Sequence, residues 1–481
     1  MLFYSAPFLL FFTVVLLLTC VVPAKWKNGC LLLASYLFYA SWGKKGCLLL
    51  FGVTVVTYFV GLLWEKKKKE WVFAGGLVLL LGTLAAFKYT GFLVEAVGGL
   101  LHIQAEGPSL FQCVGISFFV FQSAGYLIDV HRGKYKPERN FWNLALFIAF
   151  FPQLLSGPIG RGDGLLPQYS TPKKPDWNGF RKGALWMAWG YFLKLVIADR
   201  AGILVNTVYS DYESFPGICT AFATLVYGIE IYCDFSGYSY MALGAAEILG
   251  IHLPENFKTP YFARSIQEFW RRWHISLSTW FRDYLYIPLG GSRKGAWRTE
   301  CNVMLVFLVS GLWHGAGWNY LLWGGLHGLY QIVGRRTRSM RQTLLRRLGV
   351  HTQTESYGLF QMLVTFLLVD FAWLFFRAEN VSTAVGMLRH MVSALNPMYL
   401  VGANWYSMGL NRQNFQLLLA AVLILAVVDV LQYRNISVSQ WYLRQGGLFR
   451  CICDTAGILM ILLFGVWGST YNAASFIYFR F

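Results

Sequence analysis

Charge is what this sequence has least of. Only 13% of its 481 residues are Asp, Glu, Lys or Arg, against 56% hydrophobic and 18% aromatic. A soluble domain carries about 25% charged residues, so that class is excluded and a polytopic membrane protein remains. The nine cysteines show no paired spacing; the closest pair, Cys451-x-Cys453, fits no zinc or redox motif, and they read as packing thiols. There is no His-Glu-x-x-His, no glycine-rich phosphate loop and no strand-borne Gly-x-Ser-x-Gly, and Gly160-Arg-Gly matches no nucleotide fingerprint. A bound metal or nucleotide hydrolysis has no support. Internal repeats and paired broken helices, the marks of many secondary transporters, are also missing.

The net charge of +18 could suggest a nucleic-acid partner, but such a protein gathers its basic residues on one folded face. Here they fall in short runs between apolar segments: Lys25 and Lys27, Lys66 to Lys69, and 335–347. That is the positive-inside pattern of cytoplasmic loops, with some attraction to anionic lipid. The first apolar stretch, 2–22, has its first basic residues after it, which predicts a retained helix with its N-terminus outside rather than a cleaved signal. On this pattern Lys44 and Lys45 fall outside, a minor breach.

About eleven spans are expected. The apolar segments are 2–22, 31–42, 48–64, 71–89, 112–130, 184–197, 219–232 running on to 241–251, 302–330, 359–376, 415–431 and 452–467. Residues 141–159, with Pro152, Gly157 and Pro158, suit a bent or re-entrant segment, and 161–175 reads as a polar loop. At 100° per residue, 268–291 puts Phe269, Trp273, Trp280 and Tyr284 on one face and Arg271, His274, Ser278 and Arg282 on the other. This predicts an amphipathic interfacial helix ended by Pro288 and Gly290.

His314 is the residue that needs a reason. It sits inside 302–330, on a straight helix about 18 Å in from Asn302 and close to the middle of a hydrocarbon layer about 30 Å thick. An ionisable group at that depth normally faces a protein interior or a watered cavity and acts there. Gly311, Gly315 and Gly317 would let a backbone or ligand approach. A neutral imidazole suits a general base. His327 would lie about 20 Å further along the same helix and on another face, too far to share a metal. Basic residues flank both ends of this segment (Arg293, Lys294 and Arg298 before it, Arg335 onward after it), yet 302–330 is too short for two full crossings.

Three stretches resemble the membrane-bound O-acyltransferase (MBOAT) superfamily, in the branch of the bacterial alginate O-acetylation membrane proteins and the teichoic acid D-alanyl transfer proteins. The first is Phe121-Gln-Ser-Ala-Gly-Tyr-Leu-Ile-Asp-Val-His-Arg-Gly. The second runs from Tyr232-Cys-Asp-Phe-Ser-Gly-Tyr through Pro254-Glu-Asn-Phe to Trp270-Arg-Arg-Trp-His-Ile-Ser-Leu-Ser and Pro288-Leu-Gly-Gly. The third is Gly311-Leu-Trp-His-Gly-Ala. The tract ending Tyr286-Ile-Pro-Leu-Gly-Gly is more similar to the alginate-acetylation type.

The resemblance implies an all-α MBOAT fold of tilted helices around a central tunnel, with re-entrant and interfacial helices. His314 becomes the catalytic histidine and His274 the second functional one, with Asp234, Ser236, Asn256, Arg271, Ser278 and Trp313 as candidate lining residues. It divides the chain into N-terminal transmembrane helices (1–130), a catalytic core (131–334) and C-terminal transmembrane helices with an aromatic tail (335–481). It also implies a multi-pass protein of the bacterial cytoplasmic membrane with no bound cofactor. Its acyl donor would be acetyl-CoA or an acyl-carrier thioester, and its partner an extracytoplasmic acetyltransferase or esterase-like protein. The donor for the developing oxyanion is left between His274 and backbone N–H groups near the glycine-rich turn. The C-terminal Phe476-Ile-Tyr-Phe-Arg-Phe is either an aromatic interface anchor or, by resemblance, a tail whose Tyr478 relays the acyl group. Two other activities stay open: D-alanyl transfer to teichoic acid, and a proton-coupled transporter or lipid flippase.

Overall fold

Without water to pair backbone N–H and C=O groups, an apolar segment satisfies them within itself, which favours helices. The computed structural model describes residues 1–101, 111, 113–401 and 403–467, and no strand occurs among them. Six of its helices are long and apolar enough to cross a membrane, with the shorter apolar Ala6–Val21 beside them. The chain divides into two units, residues 1–190 with 238–255, and 191–237 with 256–481.

The first unit holds α1 (Ala6–Val21), α2 (Ala24–Ala40), α3 (Lys44–Lys67), α4 (Glu70–Leu101), α5 (Ile116–His131), α6 (Phe141–Ala149), α7 (Phe151–Leu154), α8 (Gly162–Ser170) and α9 (Trp177–Tyr191). Phe3, Phe8, Phe38 and Phe151 pack their rings at 4.4–6.3 Å, tying α1 and α2 to the short α7. The bent segment expected over 141–159 is present as α6 and α7, broken at Phe150. The polar loop expected over 161–175 is instead partly the helix α8, which tolerates Pro167.

Lys27 departs from its expected place among the cytoplasmic loop charges. It lies in α2, 2% exposed, and donates to the carbonyls of Lys173 and Leu249. Leu249 ends a helix whose C-terminal turn closes on Gly250 at φ +71, so the ammonium serves carbonyls that have no helical partner.

The second unit begins with a seven-residue π-helical turn, Phe192–Ala198, leading into α10 (Asp199–Ser210). The expected span 184–197 is therefore part of one longer helical run. Next comes α11 (Gly217–Ile248), a single 32-residue helix through both apolar halves predicted around Asp234; it continues into the first unit from Tyr238. Then follow α12 (Ile266–Arg272), α13 (Ile275–Phe281), α14 (Ala296–His314), α15 (Trp318–Arg336), α16 (Arg338–Arg347), α17 (Glu355–Arg377), α18 (Val381–Ser393), α19 (Arg412–Tyr433), α20 (Val438–Leu443) and α21 (Gly447–Phe464).

Two expectations fail here for a common reason. The straight helix over 302–330 is a hairpin, broken at residues 315–317, and the continuous helix over 268–291 is broken at His274, whose φ of +44 is left-handed. In both places the sequence keeps helical periodicity, but tertiary contacts turn the chain. The hairpin helices run antiparallel: a Cβ on Gly311 would lie 2.2 Å from the Tyr320 carbonyl, and one on Gly324 would lie 2.2 Å from that of Phe307. Glycine at both positions lets the backbones touch. At the open end, Arg336 closes the pair by a two-pronged ion pair to Glu300, 2.6 and 2.7 Å.

Each arm has 19 residues, about 28 Å of helix, so the flanking basic residues at both ends fall on one side and the difficulty of too short a segment disappears. His314 is at the end of an arm, about 27 Å from its start, rather than midway along a rod. Gly324→Ala is expected to cost about 1–3 kcal/mol by overpacking the contact. Gly334→Ala, on the same helix with open space around it, should be neutral or better. Thermal unfolding of the two variants in detergent compares them directly.

Candidate active site

The hairpin turn places His314 against rings. Its imidazole, 3% exposed, lies 5.0 Å from Trp323 and 5.3 Å from Phe376, centroid to centroid, with its neighbour Trp313 at 4.9 Å. The indole of Trp313 also meets His274, 5.8 Å away, and His274 meets the ring of Phe235 at 4.7 Å. The two histidines thus share one tryptophan as a ring neighbour. The break at His274 is what makes this possible: on an unbroken amphipathic helix it would share the polar face of Arg271 and Arg282, which are exposed, whereas it is 0% exposed.

The tautomer of His274 follows from its neighbours. Asn256 Oδ1 accepts from the Ser276 backbone N–H at 3.3 Å and from its hydroxyl at 2.9 Å. A backbone N–H only donates, so this Asn256 atom is the oxygen. His274 Nδ1, 3.1 Å from the same oxygen, carries the proton, which leaves the lone pair of the neutral ring on Nε2. The Ile275 N–H to Asn256 carbonyl bond, 2.9 Å, pins the same loop to the start of α13. A neutral His274 therefore presents an acceptor at Nε2. Of the two oxyanion donors left open by the sequence, this favours the backbone: the first N–H groups of α15 have no carbonyl one turn back within the helix.

The other expected lining residues are more scattered. Asp234 is buried and held by Lys194, 2.6 Å, which also binds Asp199 at 2.8 Å. The Ser236 hydroxyl donates to the Tyr232 carbonyl at 2.6 Å, and that of Ser278 to the Trp273 carbonyl at 3.2 Å, so both bond back to their own backbone. Arg271 is exposed. Tyr478 lies outside the described residues. Sequence reading missed Lys194 and Asp199, although an ionisable pair in the apolar run Phe192-Leu-Lys-Leu-Val-Ile-Ala-Asp is itself a signal. It also missed Trp323 and Phe376, which nothing distinguishes from other aromatics in the sequence. No group of three or more His, Cys, Asp or Glu suited to a metal ion occurs among the described residues. His327 and His314 lie on opposite arms of the hairpin, each 5.0 Å from Trp323 between them.

Known proteins resemble this chain over nearly its full length. Residues 138–349 match the model of the MBOAT, membrane-bound O-acyltransferase family. The probable alginate O-acetylase AlgI of Pseudomonas putida is 37% identical over 441 residues, 89% of this chain and 86% of its own. The peptidoglycan O-acetyltransferase of Helicobacter pylori is 33% identical, covering 94% of this chain and 91% of that protein. The teichoic acid D-alanyltransferase of Streptococcus thermophilus is 31% identical over 56% of this chain and 69% of its own. With His314 and His274 meeting at one tryptophan in a multi-pass helical protein, the chain belongs to the membrane-bound O-acyltransferase family.

Proposed function

We propose that this O-acyltransferase moves an acetyl group from a cytoplasmic thioester, acetyl-CoA, toward a hydroxyl of an exported cell-surface polysaccharide of the alginate or peptidoglycan kind. What carries the choice of acetyl is the relatives: the O-acetylating ones align over 84–94% of the chain, the D-alanyl ones over about half. Family membership leaves the transporter and flippase readings without support.

In this reading His314 is the base. A hydroxyl is a weak nucleophile at neutral pH, so His314 takes its proton as the oxygen attacks the thioester carbonyl. The oxyanion forms beside the N–H groups at the start of α15, the C–S bond breaks, and the thiolate leaves with the proton from the imidazolium. Trp313, Trp323 and Phe376 keep the ring dry, which protects the thioester from water. The attacking hydroxyl is that of the saccharide acceptor, or the phenol of Tyr478 where the acetyl group is carried as its ester to a separate extracytoplasmic transferase of esterase type.

Purified protein given acetyl-CoA labelled in the acetyl group should transfer label to a hydroxyl acceptor in detergent. It should ignore a D-alanyl carrier protein; the reverse preference overturns the acetyl reading. In the same assay Tyr478→Phe keeps the aromatic tail, and undiminished polymer acetylation in that variant removes the relay.

A further inference from the structure

Next to Phe376, whose ring meets His314 at 5.3 Å, begins a group of polar side chains that the reaction above does not use. Arg377, the next residue and the last of α17, places its guanidinium 5.7 Å over the ring of Tyr209 and donates to Asn206 Oδ1 at 2.5 Å. Three residues apart on one face of α11, Tyr227 is fully buried and Glu230 is 8% exposed. Tyr227 packs on Tyr209 at 6.4 Å, and both Tyr227 and Glu230 lie within reach of the Arg377 charge. Yet the Tyr227 hydroxyl and Glu230 Oε2 have no hydrogen-bond partner among the described residues, and no ion pair there joins Glu230 to Arg377. Tyr320, at the start of α15, completes the group; its ring is 5.4 Å from Phe376.

Buried polar atoms are nearly always paired, and each one left over costs about 1–3 kcal/mol. Two such atoms three residues apart on one helix face, near the Arg377 guanidinium, imply a ligand that pairs with them. Its chemistry follows from the two groups. A neutral hydroxyl accepts from the guanidinium and pairs with the Glu230 carboxyl whether that carboxyl is ionised or protonated, and the phenol of Tyr227 adds a third bond. The position agrees: α17 starts just after the basic segment 335–347 and ends at Arg377, about 33 Å away, so the group lies toward the face opposite the basic loops.

We propose that Glu230, Arg377 and Tyr227 form the subsite for the hydroxyl-bearing acceptor, holding a hydroxyl next to the one that His314 deprotonates. The inference rests on O-acetyl transfer at His314 and adds where the acceptor binds.

The test uses full-length protein in detergent, labelled acetyl-CoA as donor and a short oligomannuronate as acceptor. Losing a hydrogen bond to a charged group corresponds to about a ten- to hundred-fold effect. Glu230→Leu should therefore raise the acceptor KM by about that much, while hydrolysis of acetyl-CoA without acceptor stays at the wild-type rate. Tyr227→Phe, which removes one oxygen and no volume, should raise the acceptor KM a few-fold. Should Glu230→Leu not purify as a monodisperse species, Glu230→Gln takes its place with the same direction.

An unchanged acceptor KM in Glu230→Gln and Tyr227→Phe overturns the subsite, as does a fall confined to kcat. Wild-type protein that transfers nothing from acetyl-CoA would instead count against the acetyl reading. Calorimetric binding of the oligosaccharide to wild type and Glu230→Gln then decides the subsite alone, equal affinity overturning it.

Discussion

His314→Ala is expected to lower acetyl transfer by about 10²–10⁴-fold, the usual worth of a positioned general base. The variant should keep its fold. The imidazole ends a helix arm, and Trp323 packs on Phe376 and Trp373 directly, at 5.1 and 5.7 Å, contacts that do not depend on it. The fall should appear in kcat, since the group acts on the hydroxyl in the transition state and contributes little to holding either substrate. Transfer measured with labelled acetyl-CoA, alongside the unfolding midpoint in detergent, separates the two effects. Wild-type transfer in a stable His314→Ala protein would remove the base and with it the mechanism proposed above.

The second large effect is structural and falls on Asn256. One amide oxygen holds the His274 Nδ1–H, the Ser276 hydroxyl and the Ser276 N–H, all buried. Asn256→Leu leaves these donors without their acceptor at about 1–3 kcal/mol each. For the two bonds of 3.1 Å or less this comes to about 2–6 kcal/mol, enough to unfold a marginal protein. Asn256→Asp retains an acceptor in the same place and should hold much of the stability that Asn256→Leu loses. Its unfolding midpoint in detergent should fall between wild type and Asn256→Leu. Two variants with equal midpoints would mean that Asn256 orients nothing, and that the left-handed backbone at His274 is held by other contacts.

Much of this was legible in the sequence. The membrane class followed from sparse charge, and the apolar runs fixed where most helices lie. His314 drew attention because an imidazole in an apolar run needs a reason, and the motif resemblance added His274 and Asn256. What the sequence did not disclose were breaks. Nothing in Trp273-His-Ile announces a left-handed residue, because even histidine, enriched there, adopts that backbone only rarely; here it accompanies the bonds of Asn256 from eighteen residues upstream. The hairpin is hidden because Gly315 and Gly317 read equally as room for a ligand, whereas with Gly311 and Gly324 they also let the chain fold back on itself. Lys27 passed for a loop charge because its carbonyl partners lie 146 and 222 positions away. Glu230 and Arg377 carry no motif, and only the fold brings them near Tyr227 and Tyr209.

The touching backbones of α14 and α15 have a consequence for which acyl groups fit. Where the two arms meet at Gly311 and Gly324 there is no slot for a hydrocarbon tail, so a thioester must come to His314 along a flank of the pair. In the reaction proposed above, each added methylene would have to find space beside Trp323 or Phe376. Those two rings would then favour a two-carbon cargo over a fatty one.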